Sequence, residues 1–333
     1  MTLADYDYDL PQRLIAQEPL AERDQARLMV VRRAQAEVVH ARFFELSSFL
    51  EEGDLLVAND TRVRPARWHL RRATGGGVEV LLLHPEGTRW LVLLKPYRRV
   101  REGEELQGPG ESRVRIMEKR GEGMAVLEVE AGASRLWEAG EIPLPPYIRR
   151  PLVDRERYQT IYAREEGSAA APTAGLHFTA RTFADLKGKG VEVAWVTLHV
   201  GLGTFRPLRE EDVGRGKLHS EWYRVPAETA LKVKGALARG KRVVAVGTTA
   251  CRALEAAAQG DFGAQEGWTD LFIQPGYSFQ VVQGLITNFH LPRSSLLYLV
   301  AAFLGRERLL SLYRVAMEKE YRFYSFGDAM LIL

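Results

Sequence analysis

These 333 residues read as α/β, a larger α/β domain with an inserted small antiparallel β-barrel domain. Two observations carry that reading. DLLVAN (54–59) is a short apolar strand of the kind buried on both faces of a sheet, and strand-helix alternation surrounds it and returns after residue 151. Residues 67–141 instead spell ARWHLRRA, VEVLLLH, RWLVLLK, RVRIMEK and MAVLEVE, consecutive strands with Gly-rich and Pro-containing turns between them and no helix. The first domain is therefore drawn as 1–63 and 151–333, and the insertion as 64–150.

In chain order, Asp9 as N-cap with Pro11 close behind predicts a short helix. RLMVVRR and EVVHARF follow as two alternating strands around 34–36, and residues 43–51 look helical up to Gly53. The strand 54–59 then runs into NDTRVRPAR, which holds Asn59, Asp60, Thr61, Arg62 and Arg64 where open α/β sheets keep their chemistry. After the insertion, PLPPYIRRP (143–151) is a stiff return. A helix at 179–187, the strand VEVAWVTLHV (191–200), a helix at 228–238 and the strand-turn-helix KRVVAVGTTACRALEAAA come next. LITNFHLPRSS leads to a long C-terminal helix that starts at Ser294 or Ser295 and bends at Gly305.

Composition narrows the class. The longest apolar run, LLYLVAAFL (296–304), is about half of the roughly 20 residues a spanning helix needs, so no membrane partner is expected. The N-terminus lacks a basic, then apolar, signal pattern, and a cytoplasmic location is expected. One cysteine, Cys251, excludes an intramolecular disulfide; Cys and His spacings of the zinc type are missing, and no metal is expected. Residues 61–150 carry 17 Lys+Arg against 12 Asp+Glu, net +5, which leaves −2 of the chain's +3 for the remainder. The positive excess fits a polyanionic partner or an ordinary solvated surface.

The richest stretch is SAAAPTAGLHFT (168–179), whose small residues leave backbone that a ligand can approach and whose Gly175 can take a positive φ. Thr173, Gly175, His177 and Phe178 are its candidates, against a tight turn into the next helix. TLHVGLGTF (197–205) sets His199 beside Gly201 and Thr204, either a base next to a backbone cradle or a core histidine and a glycine turn. GLG is followed by Thr-Phe-Arg-Pro instead of a helix, and GxxxxGK[ST] does not occur, which disfavours nicotinamide and P-loop chemistry. VVAVGTTACRALE (243–255) offers Thr248 and Thr249 at a helix N-terminus, as ligand contacts or as a cap, with Cys251 in that first turn. LITNFHLPRSSLL adds Asn288, Phe289 and His290; LHSEW adds His219 and Glu221; YRFYSFGDAML adds Asp328. Each has a packing explanation when taken singly.

Taken together, YQTIYA (158–163), GSAAAPTAGLHFT, TLHVGLGTF, LHSEW, VGTTACRALE, TDLFIQPGY, LITNFHLPRSSLL and YRFYSFGDAML, with NDTRVRPAR and PPYI, resemble the signature blocks of the S-adenosylmethionine:tRNA ribosyltransferase-isomerases of queuosine biosynthesis. The resemblance runs over essentially the full length, with departures only at positions such as Arg293 and Ser295. It implies an α/β domain with an inserted β-barrel. The implied reaction transfers and isomerises the ribosyl part of S-adenosylmethionine onto 7-aminomethyl-7-deazaguanine at the tRNA wobble position, giving epoxyqueuosine in tRNA, adenine and methionine. S-adenosylmethionine is then a co-substrate, no cofactor is required, and a monomer is expected.

Such chemistry begins by removing a proton next to the sulfonium. His177, His199, His219 and His290 are the candidate bases or donors, histidine being favoured because it titrates near neutrality. Asp60, Glu221, Asp270 and Asp328 could hold a sulfonium or an amine, and Tyr158 joins the substrate-binding set. KPYRRVR (95–101) suggests a tRNA grip through Arg98, Arg99 and Arg101, with extended-chain alternation sending Arg99 and Arg101 to one face. Two rivals remain: an S-adenosylmethionine-dependent RNA methyltransferase, which would move a labelled methyl group, and a non-catalytic RNA-binding protein, which would leave S-adenosylmethionine intact.

Overall fold

The computed structural model describes residues 2–121, 123–130, 136, 138–201 and 208–333. The chain opens with β1 (Arg27–Val31), β2 (Val38–Arg42), β3 (Leu55–Asn59) and β4 (Thr61–Val63). The insertion contributes β5 (Arg67–Arg72), β6 (Gly77–Glu86), β7 (Arg89–Lys95), β8 (Glu105–Gln107), β9 (Arg113–Gly121) and β10 (Met124–Val129). Then come β11 (Glu165–Ser168), α1 (Ala180–Gly188), β12 (Glu192–Leu198), α2 (Glu210–Arg215), β13 (Lys217–Val225), α3 (Ala227–Ala238), β14 (Val243–Val246) and α4 (Thr248–Ala257). The chain continues through β15 (Gln265–Leu271), β16 (Gly284–Asn288), α5 (Ser295–Leu304), α6 (Arg306–Glu318) and β17 (Ala329–Ile332).

Two compact units emerge: Met1–Arg62 with Pro146–Glu166 and Ala171–Leu333, and Val63–Pro145 with Gly167–Ala170. The first is built on a nine-stranded sheet of order β15-β13-β12-β3-β14-β16-β17-β1-β2. At its centre β12, β3, β14 and β16 run parallel, and every residue of β3, β14 and β16 is buried. That is why these strands read as apolar runs without alternation. Leu56, Ala58, Val244, Val246 and Ile286 pack with Phe43, Leu46, Phe178 and Leu186 in one core.

The second unit is a closed antiparallel barrel of order β10-β7-β6-β5-β8-β9, as the strand spacing predicts. Alternate residues point inward, among them Trp68 and Leu70, Val78, Val80 and Leu82, Val92 and Leu94. Its shortest strand, β8, lies in the Gly- and Glu-rich stretch and was not legible there. Only Leu106 of its three residues enters the core.

Other departures have local causes. The helix expected after Asp9 is a single 3-10 turn, Gln12–Leu14, with Pro11 at its N-cap. Backbone bonds from Ala16 to Phe323 and from Phe323 to Leu14 draw the chain into an extended bridge there. The C-terminal helix is two helices, because Gly305 with φ 77° ends α5 and caps α6. Residues 97–99 form a 3-10 turn with Val100 buried behind it, so the extended alternation expected for Arg99 and Arg101 does not occur.

Candidate active site

Because β12, β3, β14 and β16 are parallel, their carboxyl ends gather 59–61, 198–201, 247–249 and 288–290 at one edge of the sheet. β17 runs antiparallel to β16 and β1 parallel to β17, which brings 322–328 and 23–27 to the same edge. The motifs that are scattered in sequence therefore converge.

Asn59 organises the centre of this edge. Its amide donates to Leu198 O at 2.9 Å and Thr249 Oγ1 at 3.1 Å, and its Oδ1 accepts from the backbone N–H of Thr61 and Leu198. Next to it, Thr61 Oγ1 stands 2.8 Å from His199 Nδ1 and 3.3 Å from Glu165 O. The His199 ring stacks on Trp222 with centroids 5.0 Å apart, and it is half-buried. Asp60 is buried, with Oδ1 accepting from Thr197 and Oδ2 from Arg164 at 2.7 Å. Both its oxygens are thus engaged by the protein, and Arg164 supplies the cation expected from a substrate.

Glu221 is buried as well. It accepts the Gly201 N–H at 2.8 Å and holds the guanidinium of Arg252, which also donates to His219 O and Thr269 O. Burial lowers the Arg252 pKa against the pull of Glu221. Arg252 escaped the sequence reading. The available signal was a charged residue inside the small, apolar run ACRALEAAA, which needs a buried partner.

The other buried histidines act as fasteners. His177 sets Nδ1 3.0 Å from Ala174 O and Nε2 2.9 Å from Gly327 O, and it stacks on Phe43. Burial pushes its pKa down while the two carbonyls pull the other way. It also lines a small pocket with Arg23, Arg157, Ser325 and Gly327. His290 pairs Nε2 with Thr287 Oγ1 at 2.6 Å, and burial lowers its pKa to about 3. A group so placed is uncharged at neutral pH.

Thr173 donates to Asn288 Oδ1 at 2.9 Å, and Asn288 donates to Tyr324 O, which pins the small-residue loop to the C-terminal segment. Gly175 is needed for space and not for positive φ, since a Cβ there would lie 2.0 Å from Tyr162 Oη. Phe178 packs in the core against Phe43 and Phe183, and Phe289 against Tyr313, Tyr321 and Phe323. Tyr158 is buried edge-on to Phe326. Asp328 accepts from the backbone N–H of Arg27 and Arg322 and from the Arg27 guanidinium. Phe178, Phe289, Tyr158 and Asp328 are thus committed to packing or to other groups of the protein.

Thr248 is half-buried at the start of α4, behind Gly247 with φ 89°. Burial raises the Cys251 pKa well above its ordinary value, so its thiol stays protonated in the core. Arg62 pairs with Glu156 at 2.5 Å. His219 is exposed on β13, and Asp270 is held by Lys217 at 2.7 Å, a hydrogen bond that lowers its pKa. Thr204 lies outside the described residues.

In the second unit, Arg64 is half-buried, with its backbone N–H donated to Ser168 O. There Arg67, Arg72, Arg89, Arg113, Arg115 and Arg120 each face a glutamate. Arg98, Arg99 and Arg101 are exposed, and none has an ion-pair partner among the described residues. Beside them, Lys119 donates to Tyr97 O and Val100 O and lies 4.1 Å from the Tyr97 ring centroid.

Residues 3–332 match a family model described as queuosine biosynthesis protein. The chain is 51% identical over 343 residues to an S-adenosylmethionine:tRNA ribosyltransferase-isomerase of Moorella thermoacetica, with 100% of each chain covered. It is 48% identical over 341 residues to one of Staphylococcus haemolyticus, again with 100% of each covered. Among solved structures it is similar to an S-adenosylmethionine tRNA ribosyltransferase from Thermotoga maritima, with TM-score 0.58 and 38% identity over 99% of this chain and 100% of that one.

Proposed function

Because the chain belongs to the family of queuosine biosynthesis proteins, we infer that it is an S-adenosylmethionine:tRNA ribosyltransferase-isomerase and that its chemistry lies at the carboxyl edge of the central sheet. The reaction we propose moves the ribosyl moiety of S-adenosylmethionine onto 7-aminomethyl-7-deazaguanine at the wobble position and isomerises it, releasing adenine and methionine. S-adenosylmethionine is the co-substrate, with no further cofactor, and the enzyme works as a cytoplasmic monomer.

One observation carries the assignment of the base. Of the three histidines at this edge, His177 and His290 are buried and face carbonyls or a hydroxyl, whereas His199 is half-buried among polar groups. A general base must be able to reach the proton it takes. His199 is the one of the three that is not fully buried, and removal of the proton next to the sulfonium is its role in this reading. Trp222, stacked on the imidazole, fixes the plane of the ring.

The substrate contacts we assign are the half-buried hydroxyls of Thr173, Thr248 and Thr249 and the Gly201 backbone. Asp60, Glu221, Asn288 and Asp328 hold the surrounding loops. The tRNA is gripped by the exposed Arg98, Arg99 and Arg101, none of which forms an ion pair among the described residues, although Glu104 lies near Arg101.

The experiment is to mix the protein with S-adenosylmethionine labelled in the ribose and methyl groups and with tRNA carrying the deazaguanine precursor. Ribose label in the tRNA, with free adenine and methionine, is the expected result. Methyl label in the tRNA would make the protein a methyltransferase, and unchanged S-adenosylmethionine would leave only RNA binding.

A further inference from the structure

Thr61 sits at the start of β4 directly after Asn59 and Asp60, and it is completely buried. Its hydroxyl has two neighbours in the first unit, His199 Nδ1 at 2.8 Å and the Glu165 carbonyl at 3.3 Å. A hydroxyl supplies one hydrogen and two acceptor lone pairs. The carbonyl can only accept. Donation from Thr61 to Glu165 O leaves a lone pair facing Nδ1, so His199 must bring the hydrogen to that contact. The chain Nδ1–H to Oγ1–H to O=C then satisfies both contacts at once, and each bond polarises the next. The opposite arrangement, Oγ1–H donated to Nδ1, makes only one of the two.

We propose that Thr61 is a positioning residue that holds His199 as the tautomer with hydrogen on Nδ1 and the basic lone pair on Nε2. This rests on the reading of His199 as the general base. In that role the nitrogen that accepts the substrate proton must be unprotonated beforehand, and Thr61 selects which nitrogen that is. Two features keep it in place. Its own N–H is donated to Asn59 Oδ1 at 3.1 Å, and the His199 ring is stacked on Trp222 with planes 21° apart. The His199 ring cannot turn away without giving up its stack on Trp222.

The tautomer is read without turnover, from two-bond proton-nitrogen correlation spectra of the 15N-histidine-labelled enzyme at a pH where imidazole is neutral. His199→Gln assigns the His199 signals. Expected in the wild type and in Thr61→Ser is a protonated Nδ1 and an unprotonated Nε2. Thr61→Val keeps the branched shape and loses the hydroxyl, so its signals shift toward the Nε2–H form that predominates in free histidine. Turnover of Thr61→Val falls about 10- to 100-fold, less than the roughly 10²- to 10⁴-fold a general base supplies, and Thr61→Ser restores it. A wild-type spectrum with hydrogen on His199 Nε2 overturns the proposal, and so does an unchanged tautomer in Thr61→Val. If the spectra behave as stated while His199→Gln turns over like the wild type, Thr61 does set the tautomer and His199 is not the base.

Discussion

Arg252 on α4 and Glu221 on β13 form an ion pair that is buried on both sides, and the second Glu221 oxygen holds the backbone N–H of Gly201. A helix, a strand and the exit of β12 thus meet at one carboxylate. Removing only the cation leaves a charge stranded in the interior. Arg252→Met should therefore lower the unfolding free energy by about 3–5 kcal/mol. Pairing it with Glu221→Leu should cost less than the sum of the two single changes, as urea titrations of all three variants will measure.

His199→Gln should lose about 10²- to 10⁴-fold in turnover with its melting temperature nearly unchanged. His177→Ala should do the reverse of what its motif suggests. It removes the link between Ala174 O and Gly327 O, so stability falls first and activity follows from the unfolded fraction. Activity per folded molecule, corrected by calorimetry, separates the two behaviours.

Burial lowers the His290 pKa to about 3, against an ordinary 6.5. Between those values the unfolded chain binds a proton that the folded chain does not, so stability rises with pH, is complete above about 6.5 and is lost as pH falls toward 3. His177, also lowered by burial, adds a contribution of the same sign. One proton gives a slope of at most about 1.4 kcal/mol per pH unit. Urea midpoints of the wild type should drop between about pH 7 and about pH 5, and His290→Gln should flatten that drop.

Gly175→Ala would set a methyl group 2.0 Å from Tyr162 Oη and 2.9 Å from Thr160 Cγ2. A rigid ring cannot give way as a flexible chain end does, so the variant should melt well below the wild type. Tyr162→Phe removes the nearest atom and leaves Cζ at 3.0 Å. The double variant should recover part of the lost melting temperature, whereas a conformational requirement for glycine would give no recovery.

Replacing Arg98, Arg99 and Arg101 by alanine should weaken tRNA binding and reduce the magnitude of the salt slope by roughly 0.7–0.9 for each phosphate that is no longer neutralised. S-adenosylmethionine affinity should stay as it is. Filter binding across a salt series measures the first, and calorimetric titration the second.

The architecture was largely legible because burial on both faces leaves a mark in sequence. β3 is apolar from Leu55 to Ala58, and the barrel strands alternate. β13 and β17 were hidden for another reason. Glu221 in β13 is a buried charge whose partner lies 31 residues away, and β17 follows an aromatic, Asp-containing loop that reads as a binding site. The site was legible as a set of segments but not as roles. Spacing brings His177, His199 and His290 forward alike, while only the fold reveals that two of them face Gly327 O, Ala174 O and Thr287 Oγ1. Asp60 reads as a cation-binding residue in sequence because Arg164, its actual partner, stands 104 residues further on.

The placement of β17 bears on how the protein is made. β1 and β2 join the sheet only through β17, and the hydrogen bond that anchors them, Asp328 to the backbone of Arg27, spans 301 residues. While the ribosome is still translating the intervening chain, the β1–β2 hairpin has no neighbour to complete it, and two strands alone are marginal in water. The nascent protein must therefore carry an unfinished edge through most of its synthesis. That exposes it to chaperones and to premature association until the segment around Asp328 arrives.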